Sequence, residues 1–157
     1  MLRPVKRKRS GKSRGTFAIV ASRYNARYVD AMVRAAQNEL RREGATLQIV
    51  RVPGAFEIPV AAARLARTSY PRLAGIICLG VILRGQTVHA AHIGEAVSTA
   101  LMQLQLQYEI PVIHEVLLLE NEEQARVRCL GRKHNRGAEA AQTALAMAEV
   151  MENLTRK

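Results

Sequence analysis

A chain of 157 residues is the length of one domain and can bury a substantial core. It is 48% hydrophobic but only 4% aromatic, so the interior reads as aliphatic and alanine-rich, and its two cysteines stand in no metal-ligand or disulfide spacing. Of the +11 net charge, +7 comes from Arg3, Lys6, Arg7, Lys8, Arg9, Lys12 and Arg14 in an acid-free stretch of residues 1–15, leaving +4 for the rest. No apolar run approaches the roughly 18 residues of a membrane span, and no apolar segment of signal-peptide type follows the N-terminal charges. A cytoplasmic protein in a reducing compartment is expected, without membrane attachment.

The basic segment 1–15 has little apolar content and reads as a disordered tail. It could contact nucleic acid through phosphates. No aromatic is interleaved to stack bases, so a solvated extension is favoured over a nucleic-acid arm. Thr16–Ser22 is a continuous apolar strand suited to burial on both faces. Arg23-Tyr24-Asn25 follows as a loop, with Asn25 placed to cap a helix. Val29, Met32, Val33, Ala36 and Leu40 mark one face of that helix, which Gly44 terminates.

Thr46–Val52 is the second strand, and Pro53-Gly54 turns the chain. Ala55 to Ala66 reads as a helix with Pro59 in its first turn. Leu73–Leu83 is the third strand, and the helix from about Ala91 to Tyr108 has Ile93, Val97, Ala100, Leu101 and Leu104 at helical spacing. Ile110–Leu118 is the fourth strand. Asn121 and Gln124 are spaced as a capping box for a short helix through Leu130. A basic loop, Gly131 to Gly137, precedes a last helix burying Ala141, Ala144, Leu145, Ala148 and Met151. The order β-α-β-α-β-α-β-α-α implies right-handed crossovers. The expected fold is a three-layer α/β/α sandwich around a four-stranded parallel sheet, flavodoxin-like, as a single domain over residues 16–157.

The stretch Leu79-Gly80-Val81-Ile82-Leu83-Arg84-Gly85-Gln86-Thr87-Val88-His89 carries the first chemical signal. It leaves a buried strand through a glycine-containing turn and enters a helix at an imidazole. Ligands of open α/β sheets bind at such strand ends, where helix N-termini aim free N–H groups outward. An anion can rest on the backbone near Gln86 and Thr87, with His89 close enough to move a proton.

Three separated motifs coincide with that site. Arg23-Tyr24-Asn25 follows the first strand, Val52-Pro53-Gly54-Ala55-Phe56-Glu57-Ile58-Pro59 the second, and Leu79-Gly80-x-x-x-Arg84-Gly85-x-Thr87-x-His89 the third. With Gln124-Ala125-x-x-Arg128 and Asn135-x-Gly137-Ala138-Glu139-Ala140-Ala141, the chain resembles the 6,7-dimethyl-8-ribityllumazine synthases over about residues 16 to 152. The Val-Pro-Gly-Ala-Phe-Glu-Ile-Pro block is the most specific element. The resemblance implies a transferase of riboflavin biosynthesis that joins 5-amino-6-ribitylaminouracil to 3,4-dihydroxy-2-butanone 4-phosphate. An imine forms, phosphate is eliminated, and the second ring closes with loss of water. No cofactor and no metal are implied. Active sites are implied at subunit contacts of homo-pentamers, some of which build sixty-subunit shells. The loop from Arg128 to Gly137 carries no insertion relative to shell-forming relatives, which favours a shell.

The resemblance assigns Tyr24 to stacking on the pyrimidine and Asn25 to pocket contact. It assigns Ala55, Phe56 and Glu57 to the ribityl chain and ring, and the backbone of Val81, Ile82 and Leu83 to the heterocycle. By residue type alone Phe56 reads as core and Glu57 as a helix-start carboxylate. His89 is the implied proton-transfer residue, since an imidazole titrates near neutrality. Gln86 and Thr87 form the implied phosphate cradle, and Arg128 its guanidinium partner. Arg136 falls where relatives carry a basic residue near the pyrimidine, usually lysine.

Two departures stand out. Ala90, Ala91 and His92 follow His89 where the family pattern is an aromatic, an acid and another aromatic or histidine, and His92 reads as facing solvent. His114 replaces the phenylalanine that an adjacent subunit sets beside the pyrimidine, adding a possible charge. These motivate one alternative, a catalytically weak lumazine- or flavin-binding homologue. A second is an RNA-associated structural shell that uses the basic tail.

Overall fold

A computed structural model describes residues 14–85 and 88–156. Residues 1–13 of the basic segment and the phosphate cradle expected at Gln86 and Thr87 lie outside the described residues. Four strands, β1 (Thr16–Ser22), β2 (Thr46–Val52), β3 (Gly75–Leu83) and β4 (Val112–Leu119), form one parallel sheet in the order β2-β1-β3-β4. Helices α1 (Ala26–Arg42), α2 (Ile58–Thr68), α3 (His89–Tyr108), α4 (Glu122–Cys129) and α5 (Arg136–Thr155) cover it. The three-layer α/β/α, flavodoxin-like expectation holds.

Strand periodicity divides the core in two. Phe17, Ile19 and Ala21 of β1 with Ile77, Leu79 and Val81 of β3 face α1, α4 and α5. Ala18 and Val20 with Ile76, Cys78 and Ile82 face α2 and α3. Successive side chains of a strand point to opposite faces, so an apolar run with no polar break must lie under helices on both sides. All five residues expected on the inner face of α1 are buried. Gly44, at φ 74°, closes that helix in the left-handed conformation that a glycine adopts without strain. Among the described residues no helix is long and apolar enough to cross a membrane.

Several element boundaries differ from expectation, among them β4, expected over Ile110–Leu118 and found at Val112–Leu119. β3 begins at Gly75 rather than Leu73, and α3 begins at His89 rather than Ala91. The helix expected from Ala55 opens as a 3-10 turn, Ala55–Glu57, before α2. Pro59 lies in the first turn of α2, where its missing N–H costs nothing.

Candidate active site

From β1 the chain crosses to β2 on one side, then returns to place β3 on the other. Such a reversal opens a crevice at the strand carboxyl ends, because the two crossovers leave in opposite directions. Here that crevice is a cleft of about 960 Å³, lined from β1 by Tyr24 and Asn25, from the turn after β2 by Gly54–Glu57, and from β3 by Val81–Leu83 and Gly85. The first turns of α3 complete it with His89, Ala90, His92, Ile93 and Ala96.

Nine residues expected at the site line this cleft: Tyr24, Asn25, Ala55, Phe56, Glu57, Val81, Ile82, Leu83 and His89. Tyr24 is 74% exposed and Phe56 62%. Two bare aromatics flanking a cleft form an apolar surface that packing within the chain leaves open. Phe56 is therefore not core. Ala55, Ile58 and Ala62 mark the buried stripe, and Phe56, one residue past Ala55, sits about 120° round the 3-10 turn from it.

Asn25 corrects a second expectation. It occupies the N-cap position of α1, yet makes no side-chain capping bond. Its backbone is left-handed at φ 59°, and its Nδ2 donates to the Val81 carbonyl at 2.7 Å. Asparagine tolerates that region better than most side chains. The side chain is a strut tying the β1 loop to the end of β3, so it sets the spacing of two cleft walls. Glu57 Oε2 accepts from Gly54 N–H at 3.0 Å, which fixes the turn that presents Ala55 and Phe56.

His89 is exposed at the first position of α3. The first N–H groups of a helix have no partner within it, so an imidazole and the donor end of a helix face the same end of the cleft. His92, expected to face solvent, lines the cleft with it. His89, His92, Ile93 and Ala96 stand at i, i+3, i+4 and i+7, the spacing of one helix face. That signal was legible in the sequence and identifies His92, Ile93 and Ala96 as wall residues.

His114, Arg128 and Arg136 do not join this cleft. His114 lies on β4, an edge strand, with Nε2 2.7 Å from Ser98 Oγ of α3. Arg128 is half-buried on α4. Arg136 opens α5 and pairs with Glu139 at 3.1 Å. On the α5 side of β4, burial raises Glu115 from the ordinary glutamate value of 4.5 to about 7, with Arg136 pulling it down and Glu139 pushing it up. Burial also lifts the thiols of Cys78 to about 12 and Cys129 to about 11, so neither is a nucleophile at neutral pH. Among the described residues no three His, Cys, Asp or Glu side chains gather as a metal site.

A family model described as 6,7-dimethyl-8-ribityllumazine synthase matches residues 14–152. Proteins named 6,7-dimethyl-8-ribityllumazine synthase from Stenotrophomonas maltophilia, Xanthomonas oryzae pv. oryzae and Xanthomonas campestris pv. campestris are 41%, 42% and 43% identical to this chain. Each match extends over 141 residues, 88% of this chain and 90% of the relative.

Proposed function

The chain belongs to the 6,7-dimethyl-8-ribityllumazine synthase family and is an enzyme of riboflavin biosynthesis; we propose that its cleft condenses 5-amino-6-ribitylaminouracil with 3,4-dihydroxy-2-butanone 4-phosphate. Tyr24 stacks on one face of the pyrimidine, and His114 of an adjacent copy meets the other. Ala55, Phe56 and Glu57 receive the ribityl chain and the ring, and the backbone of Val81, Ile82 and Leu83 takes the edge of the heterocycle. The aromatic amine attacks the ketone carbon, and loss of water leaves an imine. His89 removes a proton from the carbon beside that imine, and the electron pair expels phosphate. The enol so formed takes a proton at its terminal carbon and becomes a ketone, and attack of the second nitrogen on that carbonyl, with loss of water, closes the ring. Gln86, Thr87 and Arg128 bind the leaving phosphate, whose geometry a guanidinium fork matches. The catalytically weak binding reading is not favoured, since the cleft retains His89 and both aromatics.

One observation carries the architecture of the site. The cleft holds Tyr24 and His89, whereas His114, Arg128 and Arg136 of the same chain lie outside it. A complete site needs the second group from another copy. This supports a homo-oligomer with active sites between subunits; the proposed working form is a cytoplasmic pentamer, for which assembly into a sixty-subunit shell is slightly favoured over free pentamers by the uninterrupted loop from Arg128 to Gly137. A contact of this head-to-tail kind closes into a ring when its rotation divides a full turn evenly. Nucleic-acid binding through the basic tail is not favoured.

Mixing denatured His89→Ala and Arg128→Ala chains in equal amounts and refolding them together tests this arrangement. With the two residues supplied by different copies, random assembly leaves about one site in four intact, so about a quarter of wild-type turnover returns. Two inactive parents and an inactive mixture would place both residues in one chain's site.

A further inference from the structure

We infer that Ser98 is a positioning residue for His114, holding its imidazole neutral and in one orientation so that only the ring face is offered to an aromatic, uncharged heterocycle. The inference rests on the reading above that His114 of one copy meets the pyrimidine bound by another. The hydrogen bonds fix each proton. Val116 N–H donates to His114 Nδ1 at 3.0 Å, so Nδ1 presents its lone pair and bears no hydrogen. A neutral imidazole then carries its proton on Nε2, which lies 2.7 Å from Ser98 Oγ and donates to it. The Ser98 hydroxyl lies 2.8 Å from the Gly94 carbonyl, which can only accept. The chain of donation runs from Val116 through His114 and Ser98 to Gly94, with every member satisfied.

This direction excludes two other roles. Ser98 and His114 are not a nucleophile and base, because the hydroxyl proton goes to Gly94 and neither ring nitrogen is free to take it. Nor is His114 a cation at neutral pH, because an Nδ1–H would oppose the Val116 N–H. Titratable groups on the packed elements are Cys78 on β3, Glu115 on β4, and His89, His92, Glu95 and Tyr108 on α3. Burial, not any of these, lowers the His114 pKa below 6.5.

The arrangement also pairs two of the N–H groups on the free side of β4. An edge strand leaves N–H groups unpaired. Here Gln105 Oε1 takes Val112 N–H at 2.8 Å, and the His114 ring takes Val116 N–H. With both nitrogens committed and the residue exposed, the ring has its π face left for a ligand, which suits stacking rather than ion pairing.

The test compares Ser98→Ala, Ser98→Thr, His114→Ala, His114→Phe and the Ser98→Ala/His114→Phe double variant in the assembled full-length protein. KM for ribitylaminouracil is read from pH 5.5 to 8, and imidazole nitrogens by solid-state NMR of 15N-histidine-labelled protein. Ser98→Ala is expected to raise KM about three- to tenfold, the range of one lost hydrogen bond, with the change falling on KM rather than kcat. It also shifts the Nε2 signal and strengthens the rise of KM at acid pH. Ser98→Thr keeps the hydroxyl and restores wild-type behaviour. Phenylalanine needs no such partner, so Ser98→Ala adds nothing to His114→Phe. If His114→Ala raises KM while Ser98→Ala changes neither KM nor the Nε2 signal, the positioning role is wrong. If His114→Ala leaves KM unchanged, the ring does not meet the substrate, and the underlying reading falls with the inference.

Discussion

At the residue scale, the informative side chains are those whose partners run against their local sequence setting. Asn25 reads as a cap from its neighbours and acts as a strut to a carbonyl 56 positions away. Glu115 is the sharper case. Its folded-state pKa of about 7 stands above the ordinary 4.5 because burial penalises the carboxylate. Between these values the folded chain holds more protons than the unfolded one, so this group's contribution to stability falls as pH rises through that window. Glu115→Gln removes the titration while keeping the shape. Its melting temperature is expected to exceed wild type by at least about 2 °C above pH 7, with the gain shrinking towards pH 4.5. Thermal melts at pH 4.5, 6 and 8 check this, and a gain largest at pH 4.5 would contradict it. His114 has the opposite sign: its pKa is lowered, so its stabilisation is complete above 6.5 and is lost as pH falls below that value.

At the scale of elements, α5 meets α1 backbone to backbone at Gly137. A Cβ built on Gly137 would stand 2.0 Å from the Met32 carbonyl oxygen, which is backbone and cannot swing aside. Gly137→Ala is therefore expected to cost at least about 2 kcal/mol, within the range for overpacking or beyond it, as read from urea denaturation. The joint matters to the site because α5 begins with Arg136. The cap of α4 was legible: Asn121 accepts from Gln124 N–H at 2.9 Å, as the box spacing implied, whereas Asn135, read only as part of a basic loop, caps α5 by accepting from Gly137 N–H at 2.8 Å. Gln124 departs slightly, taking Glu120 N–H at 3.0 Å rather than that of Asn121. Helix faces and strand runs were legible because their signals lie within a few residues. The outward turn of Phe56 was missed because residue type was weighed above its offset from the buried stripe.

At the scale of the whole molecule, the proposed function makes catalysis a property of the assembly. Each chain should remain folded on its own two-sided core, while turnover should track the fraction assembled. Dilution or an interface variant that yields monomers by sedimentation velocity is expected to abolish activity with the circular dichroism unchanged. Full activity in a monomer would sink the shared site.

By itself the sequence determined the order and kind of elements, the parallel three-layer architecture, and the three strand-end motifs that gather around the cleft. Those follow from local periodicity, turn chemistry and the handedness of crossovers, all of which act within one βαβ unit. Only the tertiary structure decided the strand order, the exposure of Tyr24 and Phe56, the Asn25–Val81 strut, the proton order through His114 and Ser98, and the separation of Arg128 from the cleft. Each depends on groups far apart in the chain meeting in space, and no nearest-neighbour pattern encodes which buried carbonyl or edge N–H will need a partner.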